Sequence, residues 1–196
     1  MQFRKIVTLI LLSIIIISFG GCRSTQEILQ IGEAADANPG PCPRAFALYD
    51  ASRIVEFLDD AETFSNVGFT GEFQKVRSLC RYYGDKPIEG DLEMDISFGR
   101  GPASDAKATV QYEYFVAVTR KNIGVINKKT FPIQVKFPSG ENRVTVTERI
   151  NKITIPRAKA GTSGENFEII VGFVLTPEQR EFNTQGKRFR VSVGQS

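Results

Sequence analysis

Three cysteines and a scatter of carboxylates are the residues of this chain whose types can do chemistry, and no histidine accompanies them. Without imidazole there is no Ser-His-Asp or Cys-His nucleophile, no His-ligated metal and no usual proton shuttle near neutral pH. Cys22, Cys42 and Cys80 form no CxxC pair, so a thiolate metal site lacks its partner set. An odd count in an exported chain leaves one thiol over, and Cys22 is the odd one by position. Cys42 and Cys80 then pair as a structural disulfide in an oxidising compartment. Closing that loop of about 38 residues stabilises the fold by roughly 4 kcal/mol on chain-entropy grounds.

The carboxylates read as surface. Asp91, Glu93 and Asp95 share one face of a strand pattern, a row that could hold calcium but lacks the glycine-bearing loop that gathers six or seven oxygens. A solvated outer strand face is the plainer account, and the acidic turn of Asp59, Asp60 and Glu62 takes the same one. In "SFGRGPASD" Gly99 and Gly101 have GxG spacing, yet no helix with an apolar stripe follows to cradle a phosphate. It reads as a tight turn, in which Arg100 could make a partner contact. No metal, cofactor or catalytic residue is expected.

Arg120, Lys121, Lys128 and Lys129 surround the stretch "KNIGVINKK". Such cations near a membrane can contact a partner or lipid head groups; as edge-protecting charges they need no partner at all. The rings of Phe98, Tyr112, Tyr114, Phe131 and Phe137 are core material first, and lining for a ligand cavity second.

The elements that position these residues run mostly on a period of two. "LEMDISF" places Leu92, Met94, Ile96 and Phe98 on one face, and "VQYEYFVAV" does the same for Val110, Tyr112, Tyr114, Val116 and Val118. Phe115 and Ala117 on the other face of the latter mark a central strand. "FPIQVKF" alternates as well, with Pro132 indicating an edge strand or a strand start. "RVTVTERINKITI" (143–155) slips its period between Glu148 and Asn151, as a bulge or a break. Further strands are predicted over 68–76, 166–175 and 188–193. "DASRIVEFLDD" is open between a short helix and a strand. Thr176-Pro177-Glu178-Gln179 spells a helix start with a capping box. Seven or eight short strands between Gly-, Pro- and Asn-bearing turns give an all-β fold, an immunoglobulin-like β-sandwich with one short C-terminal helix.

The N-terminal stretch carries the address. Ile6 to Phe19 is an apolar run of 14 residues behind Arg4 and Lys5, short of the roughly 20 that cross a bilayer and laid out as an export signal. A single-pass anchor is the alternative. Phe19-Gly20-Gly21-Cys22 resembles a bacterial lipobox, in which the cysteine becomes lipidated; Leu is usual where Phe19 stands. The resemblance implies a signal peptide over 1–21 and a diacylated, usually triacylated, Cys22, and two chains suffice for stable anchoring. In enteric-type lipoproteins an Asp after the cysteine retains the protein at the inner membrane. Arg23 therefore implies the outer membrane, facing the periplasm. Residues 22–41 are a polar tether, and 42–196 the folded domain. Without residues 1–21 the charge is 23 basic against 22 acidic residues, not the basic stripe that nucleic acid demands.

The stretches "CPRAFALYDASRIVEF", "LCRYY", "RGPASD", "YEYFVAVTRKNIGVINKKTF" and "VGFVLTPEQREFN" resemble an uncharacterised family of lipid-anchored periplasmic lipoproteins of alphaproteobacteria. None of them is a catalytic motif, so the resemblance implies the lipoprotein class and no activity. The expected function is a non-catalytic structural or protein-interaction module of the bacterial cell envelope, held at the membrane by its lipid and contacting an envelope protein. The alternative is a binding protein for an apolar or envelope-derived ligand between the sheets.

Overall fold

Alternation along the chain becomes eight strands in two sheets. The computed structural model describes residues 38, 40–104 and 109–189, and all but Asn38 belong to one compact unit, Pro39–Ser196. Phe19, Gly20, Gly21 and Cys22, with the signal segment and nearly all of the tether, lie outside the described residues. The strands are β1 (Arg44–Ala47), β2 (Arg53–Phe57), β3 (Val67–Arg81), β4 (Ile88–Arg100), β5 (Thr109–Arg120), β6 (Gly124–Lys136), β7 (Arg143–Ile155) and β8 (Phe167–Phe173); one helix, α1 (Pro177–Thr184), follows. One sheet has the order β1-β8-β5-β6 and the other β2-β3-β4-β7. Every pairing is antiparallel except β1 with β8.

The two sheets face each other across a core of the expected alternating residues. Leu92, Met94, Ile96 and Phe98 are all buried, as are Tyr112, Tyr114, Val116 and Val118. Rings join the layers: Phe98 stacks on Tyr112 at 5.6 Å between centroids, Phe73 meets Phe173 at 4.8 Å, and Phe69 meets Phe137 at 5.9 Å. Such pairs add to the burial of area that drives the layers together. The all-β sandwich is thus the architecture.

Local expectations are met in most places. β5 lies between β8 and β6, and β6 is an edge strand whose Pro132 stands opposite Glu113. The slip in β7 is a bulge: Gly90 pairs with Ile153 and Leu92 with Ile150, so Asn151 and Lys152 face the single Asp91. "DASRIVEFLDD" resolves into a 3-10 turn at Tyr49–Ala51 and the strand β2. Strand wins there because Arg53 to Phe57 pair along β3 and bury Ile54 and Val55 on opposite faces. Thr176 accepts from the Gln179 amide, and the Gln179 side chain accepts from the Thr176 amide, completing the capping box.

Two departures concern the sheet edges. The sequence pattern did not mark β1, whose four residues pair with β8. The strand predicted over 188–193 is not one at Arg188 and Phe189, and its remainder lies outside the described residues. Phe189 instead joins Phe57 and Phe182 in a small aromatic cluster beside Val55 and Val67.

Candidate functional site

The sandwich has two chemically different ends. At the proximal end, where the chain arrives from its N-terminal segment, Arg44, Glu168, Thr119 and Val125 are successive partners across the first sheet. Arg81 and Glu89 close the second sheet there. The Cys42–Cys80 disulfide, with Cα atoms 5.7 Å apart, ties the segment ahead of β1 to the end of β3. Buried Tyr82 adds a second tie. Its hydroxyl donates to the Pro41 carbonyl at 2.9 Å and accepts from the Gly164 amide at 3.0 Å. Arg157 lies over the Tyr82 ring at 4.8 Å and donates to the carbonyls of Lys86, Gly84 and Ala160 at 2.6–2.7 Å. One guanidinium thereby holds two loops in place, a task its fixed fork of donors suits.

The turn of the β5–β6 hairpin lies at this same end. Asn122 (φ 64°) and Gly124 (φ 108°) take the left-handed backbone that the turn requires, a conformation these two residue types accept most readily. The Lys121 amide donates to the Asn166 carbonyl at 2.9 Å, fixing the turn to the start of β8. The four cations picked out in the sequence are strung along the hairpin rather than gathered at one point. Lys121 is in the turn, and Arg120 lies over the Phe167 ring at 5.9 Å. Lys128 and Lys129 lie farther along β6, over Phe115 at 4.4 Å and Phe131 at 5.5 Å. Ile123, Val125 and Ile126 between them are exposed. Sequence reasoning weighed the cations and passed over these aliphatics, because a period-two pattern cannot show which half of an edge strand is left uncovered.

The acidic row on β4 is an ion-pair ladder. Glu93 is paired with Arg77 and accepts from Arg149 Nε at 2.8 Å; Asp95 accepts from Thr147 at 2.8 Å. The hydrogen bonds from Arg149 and then Arg77 hold the Glu93 carboxyl below the usual carboxylate range. Among the described residues no group of three or more His, Cys, Asp or Glu side chains is arranged to hold a metal. Asp59 accepts from the Ala61 amide and the Asn66 side chain, and Glu62 pairs with Lys187. With Glu56 and Glu178 these acids surround a cavity at the distal end, beside the start of α1.

Gly99 pairs with Thr70 and Arg143 within the sheet. Gly101 lies so near the Val67 carbonyl that a Cβ would collide with it. Its amide donates to the Gly68 carbonyl at 2.7 Å. The GxG spacing therefore serves backbone packing, and Arg100 stacks over Phe137 at 4.9 Å.

Of the aromatic set, Phe98, Tyr112, Tyr114 and Phe137 are buried against one another and their neighbours, and Phe131 stacks on Tyr114 at 5.4 Å. Only Phe98 of the set lines any of the three cavities described. One cavity, of about 110 Å³, is floored by Arg53, Glu72, Ser97 and Arg143 of the second sheet. Arg53 is buried there over the Tyr49 ring at 4.9 Å, and its Nε and Nη2 find no hydrogen-bond partner among the described residues. The sequence gives no sign of a buried arginine at this position. Among the described residues no helix is long and apolar enough to cross a membrane. Comparison of this chain with known protein families, with curated proteins and with solved structures finds no match.

Proposed function

We propose that this chain is a lipid-anchored envelope lipoprotein whose β-sandwich works as a non-catalytic structural or protein-interaction module in the periplasm. One observation carries the reading. The disulfide joins Cys42 to Cys80, which leaves Cys22, directly behind an apolar run and two glycines, as the one cysteine of the three outside that pair. Lipidation gives that thiol a role. Two acyl chains, at about 0.8 kcal/mol per buried methylene, hold a protein at a bilayer. In this reading residues 1–21 are removed, 22–41 tether the domain, and Arg23 directs it to the outer membrane.

The proximal end suits a tethered module. The disulfide, the Tyr82 hydrogen bonds and the Arg157 clamp all fix the place where the tether joins the fold. Detergent-phase partitioning tests the reading: the wild-type chain enters the detergent phase and its N-terminal peptide carries the mass of acyl chains. Cys22→Ser lacks that mass. An unmodified Cys22 in the membrane-bound wild type would overturn the proposal.

A further inference from the structure

The β5–β6 hairpin leaves a pattern that packing within the fold does not account for. Ile123 and Val125 are 65% and 63% exposed, and Ile126 is exposed beside them. The first seven residues of β6, Gly124 to Thr130, are exposed without a break, so this half of the edge strand is uncovered on both faces. Edge protection explains Lys128 and Lys129, since lysines on an edge discourage pairing with other strands. It does not explain three branched aliphatics at the same edge, which raise the hazard that the lysines lower. Such residues ask for a cover.

Three further observations specify what kind. Along the hairpin Arg120 and Lys121 precede Ile123, Val125 and Ile126, and Lys128 and Lys129 follow them, so the aliphatics lie between two pairs of cations. At about 3.3 Å per residue, Lys128 and Lys129 stand roughly 13 Å and 17 Å behind Gly124. The apolar part of an interfacial element enters about 5–10 Å into the boundary between head groups and acyl chains, a depth that stops short of these lysines. Long lysine stems then keep their ammonium groups at phosphate level. The hairpin turn also lies at the proximal end, the end that holds Pro41 and Cys42. The acids of the distal cavity, Glu56, Asp59, Asp60, Glu62 and Glu178, lie at the opposite end, and the hairpin's own cations are the charges that suit an anionic surface.

We infer that the tip of the β5–β6 hairpin is a membrane-contact element: Ile123, Val125 and Ile126 enter the head-group layer of an anionic bilayer while Lys121, Lys128 and Lys129 bind its phosphates. The inference rests on the lipid-anchored reading for its nearness to a bilayer; its recognition chemistry belongs to the hairpin alone. An exposed apolar turn flanked by cations suits a deformable lipid surface, whereas a protein partner must supply a matching groove.

The chain has no tryptophan, so Ile123→Trp introduces a single indole as reporter. The full-length variant is reconstituted into vesicles of phosphatidylcholine alone or mixed with phosphatidylglycerol, in the presence or absence of brominated lipid. The expected result is blue-shifted emission and quenching by brominated lipid in the phosphatidylglycerol vesicles. An indole placed by Leu58→Trp, at an exposed position near the distal end, stays solvent-like in both. Adding Lys121→Gln, Lys128→Gln and Lys129→Gln, all at exposed sites, weakens the hairpin's partitioning about fivefold per lysine, on the order of 100-fold together. A solvent-like, unquenched indole at position 123 in phosphatidylglycerol vesicles that carry the protein overturns the inference. So does an indole at that position that ignores lipid and is buried only by a crosslinked envelope protein. The mass of the N-terminal peptide reports the anchor separately: an unmodified Cys22 with a quenched indole would sink the anchor and keep the hairpin.

Discussion

The hydroxyl of Tyr82 donates to the carbonyl of Pro41 across 2.9 Å, joining the residue after β3 to the segment ahead of β1. The two are 41 positions apart in sequence, and the same hydroxyl accepts from the buried Gly164 amide. One phenolic group therefore satisfies backbone in the segments that lead into the adjacent strands β1 and β8. Replacing it leaves a buried N–H without its acceptor, and such an orphan costs more than the mean hydrogen bond contributes. Tyr82→Phe keeps the ring under Arg157 and is expected to destabilise the domain by about 1–3 kcal/mol. Urea denaturation of the purified protein measures this; a midpoint equal to wild type would show that the hydroxyl contributes nothing.

The disulfide next to it acts through a different route. Joining Cys42 to Cys80, 38 positions apart, restricts the unfolded chain more than it adds contacts to the folded one. The double substitution Cys42→Ala with Cys80→Ala is expected to lower stability by roughly 4 kcal/mol. The domain should still fold, because the Tyr82 bonds and the Ser78 hydroxyl on the Pro43 carbonyl, at 3.2 Å, keep the junction without the covalent link. Comparing denaturation with and without reductant gives the same difference independently. A reductant-insensitive midpoint in the wild type would contradict it.

Alkaline pH provides a third test. Burial keeps the hydroxyls of Tyr112 and Tyr114 protonated well above the ordinary value of 10.0. The negative charges of Glu56, beside Tyr112, and Glu148, which accepts the Tyr114 hydroxyl at 3.1 Å, push the same way. Above pH 10.0 the unfolded chain releases protons that the folded chain retains. The contribution of these two tyrosines is therefore fully present below that pH and is lost as pH rises toward their folded values. Stability measured across this range should fall more steeply for the wild type than for Tyr112→Phe or Tyr114→Phe, by the share of one proton in each case. Identical slopes would remove both residues from the account.

The core was legible in the sequence wherever one strand face is buried and the other is wet. Leu92 to Phe98 shows this directly: four apolar side chains alternate inward, while Glu93 and Asp95 meet arginine and threonine partners outside. Pro132, which has no N–H to donate, marked its strand as an edge strand or a strand start, and β6 is an edge. The slip near Asn151 was visible because a bulge adds a residue and shifts the alternation. Four-residue β1 was not visible, since its order comes from a parallel partner over 120 positions away rather than from its own pattern. Asn183 was missed for the same kind of reason. It is buried and donates to the carbonyls of Asp50 and Arg53, which chain distance keeps apart on paper.

Local chemistry, then, is what the sequence determined alone: two-period strands, the Thr176 cap, a cysteine pair, and a Cys22 set apart behind an apolar run. Each depends on residues close in the chain or on simple counting. Tertiary structure decided which charges stay paired and which stand free. Glu93 received two arginines from neighbouring strands, while the lysines of β6 were left beside exposed aliphatics at the proximal end. Strand order and sheet edges set that difference, and both arise from pairings between distant segments whose closure entropy must be met by the whole core at once.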